Sequence, residues 1–259
     1  MTQAQRRMFL ISALLKENPR YSSVKIPAEE IGQKQLLRAL MNVRLPARIS
    51  PEFLEVQDAY LQGELTAKKT VRLSDLRPVQ KELYLWRGDI TTLECGAIVN
   101  AANGGMTGCY QPCHNCIDNC IHTYAGVQLR LKCAEIMAEQ GCEEPAGQAK
   151  ITPAYNLPCD YVIHTVGPVV RGELTRRHCE LLKSCYRSCL ELADKNNVGS
   201  IAFCCISTGV FMFPNDRAAE IAVDTVQEYK LETGSRIEVV FNVFKEQDER
   251  IYRQLLRQN

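Results

Sequence analysis

Residues 86–124, WRGDITTLECGAIVNAANGGMTGCYQPCHNCIDNCIHTY, decide how the chain is read. The apolar run Leu83, Tyr84, Leu85 and Trp86 leads into an acidic turn, Gly88-Asp89-Ile90-Thr91. Ala97, Ile98 and Val99 then read as a buried strand that continues through Asn100 into a loop rich in Asn and Gly, as far as Gly105. Beyond it come Cys109, Cys113, His114 and Cys116, just ahead of a helix-like segment. A strand, a Gly-rich loop and a helix N-terminus in that order form a cradle for an anion such as a phosphate. Thiols and an imidazole crowded into the same loop add a metal candidate.

Working outward, the chain repeats the same alternation. Apolar runs at 83–86, 97–99, 161–166, 201–206 and 237–244 alternate with helix-like stretches at 117–140, 175–195, 216–230 and 246–257. Most of the runs lack polar alternation, as expected of strands covered by helices on both faces. The reading is an α/β three-layer (α/β/α) domain with ligands at the carboxyl ends of its strands. Upstream, residues 1–75 read as a helical extension. A first helix over 8–17 is stopped by Asn18-Pro19. A second over 28–44 has Pro27 in its first turn and Ile31, Leu36, Leu37, Leu40, Met41 and Val43 as core positions. Ser50-Pro51 caps a third that runs through Leu61, and 66–78 is the connection. The extension holds no catalytic spacing, so the expected division is a helical cap over 1–75 and the α/β domain over 76–259.

A chain of 259 residues can bury a real core, and its formal net charge of +1 offers no basic face for nucleic acid. The eight-residue apolar run at 8–15 is too short to span a bilayer and lacks a small-residue cleavage site. The cytoplasm is the expected compartment, with no membrane contact. There the 13 cysteines are mostly reduced and mostly buried as small hydrophobes. Leu182, Cys185, Cys189 and Leu192 share one helix face, and Cys204 and Cys205 are expected inside a strand, so these are core residues.

The clustered cysteines need another explanation. Cys109, His114 and Cys116 have the spacing C-x4-H-x-C, with Cys113 as a spare thiol. Soft thiolates with an imidazole suit Zn²⁺. No second pair of this kind occurs elsewhere, and three ligands in one loop with a fourth position open is the pattern of a catalytic site. The alternative is a coincidence of Cys-rich composition. His122 reads as a packing or supporting residue rather than a ligand. Asp89 either caps its turn or accepts from the exocyclic amine of a bound base. Asn100 and Asn103, at a strand end followed by glycines, either present amides to sugar hydroxyls or form a plain turn. A second anion cradle, at 207–215, follows the run at 201–206 and precedes a helix starting near Pro214. Phe211 and Phe213 in that loop either cover a flat ligand or plug the core.

Four segments in this order resemble the macrodomain family of ADP-ribose-binding α/β domains: Gly88-Asp89-Ile90-Thr91, the stretch from Ala97 to Asn103, His164-Thr165-Val166-Gly167-Pro168, and the loop at 207–214. The resemblance covers about 80–258. Where many members have a glycine run, this chain has residues 109–116 and then Ile117-Asp118-Asn119. That resembles the zinc-dependent branch, whose members carry a helical extension and hydrolyse protein mono-ADP-ribosylation.

The resemblance implies that Asp89 holds the adenine amine, with backbone from Ile90, and that Asn100 and Asn103 face the distal ribose. It implies one Zn²⁺ per chain on Cys109, His114 and Cys116, with Asp118 and Asn103 at the reacting end. Ser207, Thr208, Gly209, Val210 and Phe211 would wrap the phosphates. Met212 and Phe213 stand where many members have Gly and an aromatic, commonly Tyr, so no tyrosine hydroxyl is available there. The expected activity is zinc-dependent release of ADP-ribose from mono-ADP-ribosylated protein, written by a sirtuin-class transferase encoded nearby. The alternatives are an ADP-ribose reader with a structural zinc and an O-acetyl-ADP-ribose deacetylase.

Overall fold

The structure, a computed structural model, describes residues 1–258 of the chain. It opens on three helices, α1 (Gln3–Glu17), α2 (Glu30–Val43) and α3 (Pro51–Lys68). α1 starts before the apolar run because Thr2 caps it: the Thr2 hydroxyl accepts from Gln5 N, and the Gln5 side chain accepts from Thr2 N in return. α2 starts later than predicted and leaves Pro27 outside. Ile31, an expected core position, is 73% exposed. Leu37, Leu40 and Met41 do enter the core, with Leu36 and Val43 at its margin. Ser50 caps α3 as expected, its Oγ accepting from Phe53 N at 3.2 Å, but the helix runs on to Lys68 and consumes the start of the expected connection. Leu10, Ile11, Leu37, Phe53 and Tyr60 pack together at its centre, and Val127 from further along the chain joins the cluster.

The rest of the chain forms β1 (Val71–Arg72), β2 (Pro78–Gln80), β3 (Leu83–Arg87), β4 (Leu93–Glu94), β5 (Ala97–Ala102), α4 (Ile117–Ala125), α5 (Val127–Gln140), β6 (Ala149–Pro153), β7 (Tyr161–Val166), α6 (Arg176–Lys195), β8 (Ser200–Phe203), α7 (Asn215–Thr233), β9 (Glu238–Val243) and α8 (Glu246–Gln258). β1 pairs with β4 in a small parallel sheet. Seven strands form the main sheet in the order β2-β3-β9-β8-β5-β7-β6, parallel except for the outermost pair on each side. Ile98, Val99, Val162, Ile163, Ile201 and Val239 have no exposed surface, which is why their strands read as unbroken apolar runs. β2 and β6 escaped the sequence reading because they are half-exposed edge strands, each with a proline at one end.

Two further expectations are corrected. The stretch 117–140 is two helices, broken at Gly126, whose φ is +98°. A Cβ there would fall 2.5 Å from Gln128 Oε1 and 2.6 Å from Gln57 Nε2, so the break needs glycine. It also frees Val127 N to donate to Gln57 Oε1 of α3 at 3.0 Å. β8 ends at Phe203, so Cys204 and Cys205 begin the next loop instead of lying in a strand. The core reading of Cys185 and Cys189 on α6 holds, since neither has exposed surface.

From β5 the chain passes to β7 on one side, then back across β5 to β8 and β9 on the other. The carboxyl ends of β5 and β8 therefore border the crevice where the strand order reverses. The loops at 103–116 and 204–214 leave from those ends. Among the described residues, no helix is long and apolar enough to cross a membrane.

Candidate functional site

At the carboxyl end of β3, Asp89 caps the short turn Ile90–Thr92. Its Oδ1 accepts from Thr91 N at 3.0 Å and from Thr91 Oγ1 at 2.6 Å. Oδ2 is turned outward and meets Lys68 Nζ at 3.3 Å. Thus Asp89 is both cap and outward-facing acceptor. Lys68 also lies 3.6 Å from the centre of the Tyr124 ring, so the extension reaches this end of the site, a contact no spacing in the sequence announced.

Beneath the crevice sits a buried polar chain. Asp118, in the first turn of α4, is 5% exposed. Asn100 Nδ2 donates to its Oδ1 at 2.8 Å, and Asn103 Nδ2 donates to its Oδ2 at 3.2 Å. Burial pushes the Asp118 carboxyl up to about 6, against the opposing pull of Asn100, Arg130 and Asn103. Asn100 pairs in register with His164 across β5 and β7. Its Nδ2 lies 3.1 Å from His164 Nδ1, and Thr152 Oγ1 lies 3.0 Å from His164 Nε2. Burial lowers His164 to about 3, so the ring is neutral. An amide donor at Nδ1 places the ring proton on Nε2, from which it is donated to Thr152. The Asn100 amide thus has two acceptors, while its buried Oδ1 has no partner in the protein.

The two asparagines separate here. Asn100 has no exposed surface, whereas Asn103 is half-buried at the loop, with Gly105 N donating to its Oδ1 at 3.0 Å. His122 Nε2 lies 3.6 Å from Asp118 Oδ1. Burial, His164 and Arg130 hold its pKa well below the ordinary value, so the ring is neutral, and neither of its buried nitrogens has a hydrogen-bond partner in the protein. The His122 and His164 nitrogens also converge with the Cys133 thiol, but the His164 Nε2 proton is already committed to Thr152.

The metal candidates converge. Ligand atoms of Cys109, His114 and Cys116 all lie within 4.8 Å of one another, and Cys109 Sγ is 3.6 Å from His114 Nδ1. Zinc bonds of about 2.3 Å to sulfur and about 2.0 Å to nitrogen, at a tetrahedral angle, put those two atoms about 3.6 Å apart. The donor set therefore fits zinc, which His114 would hold through Nδ1. Cys116 caps α4, accepting from Asn119 N at 3.4 Å. Burial and the neighbouring Cys109 push its thiol up to about 12, a cost that a cation between the two sulfurs reverses. Cys113 is turned away, its thiol donating to Gln35 O at 3.4 Å. Purified protein is expected to carry about one zinc per chain. Elemental analysis should show it lost from Cys109→Ala, His114→Ala and Cys116→Ala and retained by Cys113→Ser; full retention by the first three would put the ligands elsewhere.

The second loop arches over the β8 end. Ser207 and Met212 both adopt positive φ, at +65° and +58°. Phe213 N donates to Ser207 O at 3.0 Å and Met212 N to Gly209 O at 3.0 Å. Ser207 is buried against Gly167, where a Cβ would fall 2.0 Å from Ser207 Oγ, so the glycine after Val166 makes room for the loop. Phe213 is 1% exposed and plugs the core, whereas Phe211 is half-buried and Val210 is 72% exposed. Residues 207–211 carry no charged side chain, so an anion here would have to be held by backbone amides and hydroxyls.

Residues 99–222 match the Macro domain family. A protein-ADP-ribose hydrolase of Treponema medium is 61% identical over 99% of this chain and 100% of its own length. A protein-ADP-ribose hydrolase of Staphylococcus aureus strain MSSA476 is 49% identical over 95% of this chain and 93% of its own. Among solved structures, the Trypanosoma brucei macrodomain in complex with ADP-ribose is similar with a TM-score of 0.66 and 31% identity, covering 85% of this chain and 94% of that one.

Proposed function

The chain belongs to the Macro domain family, and from that premise we propose that it removes mono-ADP-ribose from modified proteins in a zinc-dependent reaction. That it is an enzyme, a macrodomain protein-ADP-ribose hydrolase, rests on its likeness over nearly its whole length to relatives so named. The observation that carries the zinc reading is the convergence of Cys109, His114 and Cys116 at the end of the crevice where Asn103 and Asp118 meet.

In this reading Asp89 Oδ2 accepts from the adenine amine, with Lys68 yielding or sharing that oxygen, and the Ile90 backbone contributes beside it. Ser207, Thr208, Gly209, Val210 and Phe211 enclose the pyrophosphate through backbone amides, and Phe211 flanks the ribose. Asn103 faces the distal ribose, and Asn100 fixes the carboxylate below it. Zinc, when bound by Cys109, His114 and Cys116, supplies Lewis-acid chemistry at the distal ribose. Asp118, held at both oxygens by asparagine amides, accepts a proton from the attacking water. The water oxygen bonds to the anomeric carbon as the carbon's bond to the side-chain atom breaks, its electron pair leaving with the side chain; a carboxylate leaves as such, and an alkoxide takes the proton back from Asp118. A sirtuin-class transferase encoded nearby is the proposed writer of the modification, and gene neighbourhood tests it.

The test is incubation with proteins mono-ADP-ribosylated on Asp/Glu, on Ser or on lipoyl groups, with free ADP-ribose measured. Release from at least one is expected; no release from any would favour an ADP-ribose reader. For the adenine end, Asp89→Ala is expected to weaken ADP-ribose binding by about 1.5–3 kcal/mol, the usual worth of a hydrogen bond to a charged group. Calorimetry with ribose 5-phosphate should show little change. Equal losses for both ligands would make Asp89 a support of the fold, not a reader of the base.

A further inference from the structure

The metal loop is held from outside its own domain. Gln35, Arg38 and Asn42 fall at i, i+3 and i+7 on one face of α2, and all three meet the loop. Arg38 Nη2 donates to His114 O at 2.8 Å and to Asn119 Oδ1 at 3.1 Å. Asn42 Oδ1 accepts from Cys113 N at 2.9 Å, while its Nδ2 donates to Thr123 Oγ1 of α4 at 2.9 Å. Gln35 O takes the Cys113 thiol. Asn42 is 1% exposed, a buried polar residue in the last turn of α2.

Arg38 acts through Asn119 as well. By taking Asn119 Oδ1, it turns Asn119 Nδ2 toward the loop, where it donates to Cys109 O at 3.3 Å and Gln111 O at 2.9 Å. The α2 end is itself fastened to α5: Arg130 Nη1 donates to the carbonyls of Met41 at 3.1 Å and Asn42 at 2.6 Å. The Arg130 guanidinium also lies 4.3 Å from the centre of the Tyr110 ring. The loop backbone is therefore bonded to α2, or to residues that α2 orients, at Cys109, Gln111, Cys113 and His114. Cys113 sits at φ +53°, a conformation that a loosened loop would not keep.

We propose that the helical extension is an arm of the metal centre, in which Arg38 and Asn42 are positioning residues that fix the segment between the ligands and slow the release of zinc. The proposal rests on the zinc reading of Cys109, His114 and Cys116. Outer partners of metal ligands typically set metal affinity by about 10–100-fold, and these bonds reach the ligand backbone directly.

The experiment follows zinc transfer from the loaded full-length chain to a chromogenic chelator. Arg38→Ala and Asn42→Ala are each expected to release zinc about 10-fold faster or more. Arg38→Lys, which keeps a donor for His114 O, should fall between Arg38→Ala and the native chain. Leu14→Ala, which opens the extension's apolar core away from the loop, should lower the melting temperature and leave the release rate native. Native rates in both folded Arg38→Ala and Asn42→Ala would overturn the proposal alone, as would equal acceleration by Leu14→Ala. A native chain that takes up no zinc would overturn the zinc reading along with it.

Discussion

Asp118→Asn is expected to cut release of ADP-ribose from a modified protein by about 100-fold or more, the range over which a positioned general base acts. The substitution keeps the size of the side chain and removes the proton acceptor. It also sets an amide against the amides of Asn100 and Asn103, both of which donate to Asp118. The resulting strain is confined to the floor of the crevice. The adenine and pyrophosphate contacts proposed for Asp89 and for residues 207–211 lie on other loops, so calorimetric affinity for free ADP-ribose should stay close to native. Native turnover in the variant would remove Asp118 from the chemistry; loss of binding and turnover together would make it a support for the pocket.

Cys116→Ser separates the two tasks of one side chain. The Cys116 sulfur caps α4 by accepting from Asn119 N, and the same sulfur is the proposed ligand. Serine is a good helix cap, where alanine would forfeit about 1 kcal/mol, but a neutral hydroxyl is a poor substitute for a thiolate on zinc. The expected result is a chain with near-native melting in its metal-free form, little zinc, and turnover reduced by more than about 100-fold. That exceeds the effect usual for losing an outer partner of a metal ligand. Turnover at the native rate, with zinc absent by elemental analysis, would contradict a catalytic metal.

Much of the fold was legible because strands covered on both faces announce themselves as apolar runs. β7 was read to the residue, and Thr175 caps α6 where the pattern placed its start. What escaped was half-exposed or broken by one residue. β2 and β6 lack an apolar run, and Gly126 divides an otherwise continuous helical pattern because it adopts φ +98°, with Gln57 and Gln128 crowding the place of a Cβ. Ile31 looked like core because it is apolar within a helical pattern, yet it sits in the first turn of α2 and faces solvent.

At the site, the convergence of Cys109, His114 and Cys116 was legible because all three lie within eight residues, where spacing alone constrains them. Contacts made across the fold were not. Lys68 on Asp89, Arg38 on His114 O and the pairing of Asn100 with His164 join residues far apart in sequence. Two residues carried a faint signal all the same. His164 stands in an apolar strand, and Asn42 stands among the leucines of α2; a polar residue in such a place must find a partner.

Metal and ligand binding are expected to be separable, with zinc needed for turnover and not for holding ADP-ribose. The measurement strips the native chain with a chelator, divides the sample, and restores zinc to one half. Both halves are then assayed for ADP-ribose release from a mono-ADP-ribosylated protein and titrated with free ADP-ribose in the calorimeter. Release is expected only in the restored half, with ADP-ribose bound by both and at most several-fold more weakly without metal. Equal release from the two halves would contradict it.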